Sequence, residues 1–159
     1  MDAIFPFFQW CETTWIFHWV ESHEVAYPAL ETIHLFGLTL LLGTTVLLCL
    51  RVLGLLMKRQ PVAEFSRELS PYTYWGLSLM VVSGLTMFVA TAVRCYGNTS
   101  FWIKMALFAT ALLFHFLYFR KLVRRDDASI GASAKVAAVV TLLLWFGVGA
   151  AGRSIGFFG

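Results

Sequence analysis

From Ile33 to Leu50 the chain runs eighteen residues without a charged side chain, and three similar runs follow: Tyr72–Val93, Met105–Phe119 and Val136–Gly152. The first continues past Arg51 to Met57. A helix rising about 1.5 Å per residue crosses a hydrocarbon core with about 20 mainly apolar residues, so each run qualifies once its flanks are counted. The pattern predicts an all-α integral membrane protein. Its four transmembrane helices, at about 28–57, 72–95, 101–120 and 134–153, form one bundle over 27–159. With 59% hydrophobic and 13% charged residues, against roughly 25% charged in soluble domains, a water-soluble fold of this size is excluded. The net charge of +3 calls for no nucleic-acid partner.

The basic residues set a direction. Lys58, Arg59 and Arg67 fall between spans one and two; Arg120, Lys121, Arg124, Arg125 and Lys135 fall between three and four. The other side carries Arg94, Lys104 and Arg153 together with Asp2, Glu12, Glu21, Glu24 and Glu31. The positive-inside rule places both basic loops in the cytoplasm and both termini outside.

Residues 1–26 are too broken by Glu and His to span. Their aromatics (Phe5, Phe8, Trp10, Trp15, Phe17, Trp19) suit a helix lying at the outer interface. No positive n-region precedes them, so the segment reads as retained protein and not as a signal peptide. Pro28 fits the first turn of span one, and the 58–71 loop, bounded by Pro61 and Pro71, has room for a short surface helix. Gly147 and Ala151 form a small-xxx-small pair suited to close helix contact.

Chemistry concentrates on histidine. His34 and His115 lie inside spans, where an ionisable side chain is a functional candidate. His34 falls near the outer face and His115 only five residues before Arg120, so one metal or haem cannot be clamped between them. For His34 the partners at similar depth are Met87, His18, His23 and Glu31, the last at i, i+3 on the same helix face. For His115 the comparable partner is Met80. Each histidine also has a plainer reading, as a membrane imidazole hydrogen-bonded to a neighbouring helix. Lys104, Arg153 and Arg94 at the outer mouth suit haem propionates or an anionic headgroup, or else snorkel to the interface. Arg51 is read as snorkelling inward. Cys11 and Cys95 share the outer side, where a bridge and two free thiols both remain open. No nucleophile–base pair, phosphate loop or zinc motif is present, which argues against an autonomous hydrolase or transferase.

The stretches YPALETIHLFGLTLLLGTTVLLCLRVLGL and GNTSFWIKMALFATALLFHF resemble a bacterial family of small four-span inner-membrane proteins of unassigned function. More distantly the chain is similar to the haem-associated four-helix membrane domains of the small bacterial protoporphyrinogen oxidases and copper-resistance D-type proteins. Their His, Gly and Arg along span one match His34, Gly43 and Arg51; their Lys opening span three and its following His match Lys104 and His115. The resemblance implies a haem b or copper site that includes His34, with Lys104 as a second functional residue, in a bacterial inner membrane.

Three functions fit these residues. One is a b-type cytochrome-like electron carrier between a quinone and a periplasmic partner. Another is a non-catalytic anchor, a homo-oligomer or the subunit of a larger complex, docking through its aromatic N-terminal segment. The third is copper handling through His18, His23, Glu31 and His34.

Overall fold

The computed structural model describes residues 4–124 and 131–155; Asp2 and Arg125, counted in the charge reading, lie outside them. Four helices are long and apolar enough to cross a membrane: α3 (Ala26–Val52), α4 (Val62–Ala90), α6 (Thr99–Val123) and α7 (Ala132–Ser154). Three short helices, α1 (Phe5–Glu12), α2 (Trp15–Ser22) and α5 (Ala92–Tyr96), sit at the end where α3 begins and α7 finishes. This end is the terminal face, and the opposite end is the loop face. The protein is an all-α membrane bundle.

The span limits differ from the sequence expectation for local reasons. The first span stops at Val52, not at 57, because the chain turns through left-handed backbone at Gly54 (φ 77) and Met57 (φ 46). Arg51 reaches into that turn, with Nε 2.8 Å from the Gln60 carbonyl and NH2 donating to the same oxygen. It does point toward the loop face, but it ends on protein. The second span starts ten residues early, at Val62, and carries Pro71 within it. Nearby Ser66 and Ser70 are helical, with the Ser70 hydroxyl on the Ser66 carbonyl at 2.6 Å. No separate surface helix precedes it. At the other end Thr91 breaks the helix (φ −138), and 92–96 becomes α5. The third span is capped by Asn98, whose Oδ1 accepts from Ser100 N at 2.9 Å and Phe101 N at 3.3 Å. It runs through a π-helical segment, Phe114–Phe119, to Val123.

The N-terminal segment forms two helices where a single one was expected. Thr14 is extended (ψ 154), and the Thr13 and Thr14 hydroxyls close α1 on the Trp10 and Cys11 carbonyls at 2.7 Å each. Phe8 is buried against Phe88, Tyr96 and Trp102, at ring-centroid distances of 5.5, 5.1 and 6.0 Å. Glu12 Oε1 accepts from Val93 N at 3.1 Å. The segment is therefore fastened to the bundle on one face, while Phe7, Trp10, Trp15 and Trp19 stay exposed on the other.

α3 and α4 meet at backbone distance. A Cβ added at Gly76 would lie 2.7 Å from Leu41 N and 2.9 Å from Gly37 O; one at Gly37 would lie 2.8 Å from Met80 N. Glycine is required at both positions because the neighbour is main chain, which cannot move aside. By contrast, Gly147 meets a Leu107 side chain at an ordinary 3.6 Å, so the Gly147/Ala151 pair is not where the helices approach most closely.

The interior is layered. Toward the terminal face Leu41, Met80, Ala111, Trp145 and Val148 form one apolar cluster; toward the loop face Leu48, Cys49, Phe119 and Ala138 belong to a second. Between them each span contributes buried polar side chains: Thr44 and Thr45 from α3, Thr73 from α4, His115 from α6 and Thr141 from α7. Thr73 donates to Thr44 Oγ1 at 3.0 Å, which ties α4 to α3 at this depth.

Candidate functional site

The antiparallel register of α3 and α4 carries His34 to its partner. Thr44 faces Thr73, Leu41 faces Gly76, and two turns nearer the terminal face His34 faces Ser83. His34 Nδ1 lies 3.1 Å from Ser83 Oγ, and the ring packs on Gly84, where a Cβ would come within 3.0 Å of Cε1. Gly84 therefore makes room for the imidazole. The Ser83 hydroxyl has one proton and lies 2.5 Å from the Leu79 carbonyl, the shorter of its contacts. With that proton committed, Ser83 can only accept from the ring. The network thus assigns the imidazole proton to Nδ1 and leaves Nε2 with a free lone pair. The Met80 backbone carbonyl is a further hydrogen-bond acceptor for the His34 ring.

Other expected partners stand elsewhere. Glu31 is exposed and is not the group that holds the ring; Ser83 is. The same register sets Met87 opposite Leu30, one turn nearer the terminal face than the imidazole. His18 is exposed with Nδ1 4.0 Å from Glu21, and His23 Nδ1 contacts the Trp19 carbonyl at 2.8 Å and Ser22 Oγ at 3.0 Å. Among the described residues no three His, Cys, Asp or Glu side chains gather as a metal site, so His18, His23, Glu31 and His34 are not brought together.

The cations converge in part. The Lys104 stem lies along Gly152, where a Cβ would be 3.6 Å from Cε, and its ammonium acts electrostatically on His34 and on Cys95. Arg94 acts on Cys95 as well, and both Arg94 and Arg153 are exposed at the terminal face. Cys11, Cys49 and Cys95 are all free, so Cys11 and Cys95 are not bridged. Burial pushes both the Cys11 and the Cys95 thiol above the ordinary value, which keeps them protonated and unreactive at neutral pH.

His115 belongs to a different place. The third span continues to Val123, so His115 is not near its end but in the polar layer of Thr44 and Thr45, about 15 Å along the axis from His34. Its ring is 2% exposed and meets Trp145 edge-on at 6.2 Å. Met80 packs in the apolar cluster above, with Trp145. Arg120, expected in a loop, is also buried: NH2 donates to Ser70 Oγ at 2.8 Å, and the guanidinium lies 4.7 Å from the Tyr74 ring centroid.

Sequence reasoning missed Ser83, Gly84 and Gly76. Serine and glycine are common in membrane helices, and only the register of two helices distant in sequence gives these three their roles. No curated protein and no solved structure matches the chain. A family model does match, over residues 7–158, and the chain belongs to that family, the family of unknown function DUF6644.

Proposed function

We propose that the protein is a membrane-embedded haem b-binding subunit that carries electrons, with His34 as the iron ligand. The observation behind this reading is the oriented imidazole: Ser83 and the Met80 carbonyl engage the ring from α4, and with Nδ1 as the donor to Ser83 a neutral ring carries its lone pair on Nε2, within the terminal half of the bundle. Metal-bound histidines characteristically donate the second ring N–H in this way, and a single imidazole suffices for a haem iron. The donor set suits haem better than copper, which would need the scattered His18, His23 and Glu31 to join. Bound haem supplies one-electron chemistry. The chain's own residues would hold and orient it: His34 at the metal, Gly84 letting the imidazole pack on α4, Lys104 and Arg153 balancing the propionates. Met87 lies within a turn of this site, whereas His115 is too far along the axis to share it. Exchange of electrons with a quinone and a periplasmic partner, as part of a complex in a bacterial inner membrane, completes the reading.

Titrating the purified protein with hemin tests this directly. Binding should saturate at one haem per chain with a Soret shift, and a titration that never departs from the detergent blank removes the proposal. A second reading, a docking anchor, draws on the exposed Phe7, Trp10, Trp15 and Trp19 on a fastened N-terminal segment. It would take over if haem-free protein co-purified with an enzyme partner.

The loop charges support an orientation with both termini periplasmic. A cysteine placed at the exposed Gly97 should react with a membrane-impermeant maleimide added outside intact spheroplasts. Reaction confined to cysteines at 126–132, most of which lie outside the described residues, would reverse it.

A further inference from the structure

The polar layer around His115 has a feature the haem reading does not use. Four buried side-chain atoms among the described residues lack a protein partner: Thr45 Oγ1, His115 Nδ1, Arg120 NH1 and Trp145 Nε1. Their residues are 1%, 2%, 5% and 0% exposed. Their residues fall at or next to one depth of the bundle. Thr45 and His115 occupy the layer itself, Trp145 borders it with its ring 6.2 Å from His115, and Arg120 sits one π turn below His115 and acts on it electrostatically. In a bilayer no solvent can satisfy such groups from outside the bundle, so their grouping at this depth calls for a guest inside it, even with the Arg120 guanidinium against the Tyr74 and Phe116 rings.

The chemistry of the set defines that guest. The Trp145 indole and the Arg120 guanidinium only donate, whereas Thr45 Oγ1 and His115 Nδ1 can each donate or accept, Nδ1 according to the tautomer of its ring. A guest that serves either tautomer of His115 has to be able both to accept and to donate. It must also be small, because the His115 and Trp145 rings already touch at their edges. An anion satisfies only the donors, whereas water has both functions and the size of a small internal site. We infer that Thr45, His115, Arg120 and Trp145 bind internal water, forming a hydrated site in the loop-side half of the bundle. Water at His115 gives the imidazole a proton-exchange partner deep in the membrane, and Arg120, held by Ser70, lies between it and the loop face. The inference is independent of whether His34 binds haem.

Water-edited solid-state NMR on the full-length protein in lipid nanodiscs tests it, with the Trp145 indole N–H assigned by its loss in Trp145→Phe. Wild type should show rapid polarisation transfer from water to this indole, together with deuterium exchange in D2O. Thr45→Val, which keeps the side-chain shape, should slow that transfer, and His115→Phe should abolish it. A Trp145 indole without water transfer in wild type overturns the site. So does transfer unchanged in Thr45→Val, which needs no stable His115 variant. An indole shift that follows replacement of chloride by gluconate at constant ionic strength identifies an anion and overturns the assignment to water.

Discussion

Gly76→Leu should leave no folded α3–α4 pair, and Gly76→Ala should already be costly. The first added carbon would lie 2.7 Å from Leu41 N and 2.9 Å from Gly37 O, closer than real Cβ contacts come, and both obstacles are backbone. Side chains can rotate away from an intruder, but helix backbone moves only by separating the helices. That separation would loosen the Thr44–Thr73 bond on one side of the contact and the His34–Ser83 bond on the other. Overpacking a tight interior costs about 1–3 kcal/mol per site, occasionally more, and Gly76→Ala should sit at the upper end. Gly43, with nothing within 4 Å of an added Cβ, provides the control within the same pair of helices. Unfolding midpoints in detergent, read by circular dichroism, should fall sharply for Gly76→Ala and stay at the wild-type value for Gly43→Ala. Equal midpoints for the two would mean that α3 and α4 are not in backbone contact.

His34→Ala should abolish haem binding, and the size of the effects elsewhere should follow distance from Nε2. Ser83→Ala removes the acceptor of the Nδ1 proton without touching the ligand atom. Loss of such an outer hydrogen bond costs metal sites about 10–100-fold in affinity. Ser83→Thr keeps the hydroxyl and should retain most of the binding. His115→Ala should leave hemin affinity unchanged, because its imidazole lies in another layer. Hemin titrations of the four variants, each checked for helical content, resolve the order. Full affinity in His34→Ala, or equal losses in His34→Ala and His115→Ala, would contradict the assignment of the ligand.

What the sequence discloses and what it hides follow different physics. The four spans were legible because a bilayer admits long uncharged runs and little else, and both intramembrane histidines stood out against that background. The ends were less legible. Pro71 is a helix breaker in soluble proteins, yet here it lies within a span, while the first span is ended by the left-handed turn at Gly54 and Met57. Arg120 looked like a loop cation because nothing in FHFLYFRK announces a π turn that keeps the helix going to Val123. The partner of His34 was the hardest to see. Glu31 was the local choice at i, i+3, but Ser83 is set by the register of α3 on α4, which depends on Gly37 and Gly76 meeting. A pairing between residues 49 positions apart is a property of packing and leaves no local trace. The two apolar clusters likewise emerge only once the spans are aligned, and with them the polar layer of Thr44, Thr45, Thr73, His115 and Thr141 between them.

Whether His34 holds a haem iron in the native membrane protein is read from the reduced-minus-oxidised absorbance spectrum of protein purified from its membranes with no haem added. The spectrum should show the sharp α and β bands and the Soret shift of a b-type haem, present at one haem per chain and absent from His34→Ala prepared alongside. A flat difference spectrum from folded wild-type protein, with no stoichiometric iron, would contradict it and leave His34 as a packing residue bonded to Ser83.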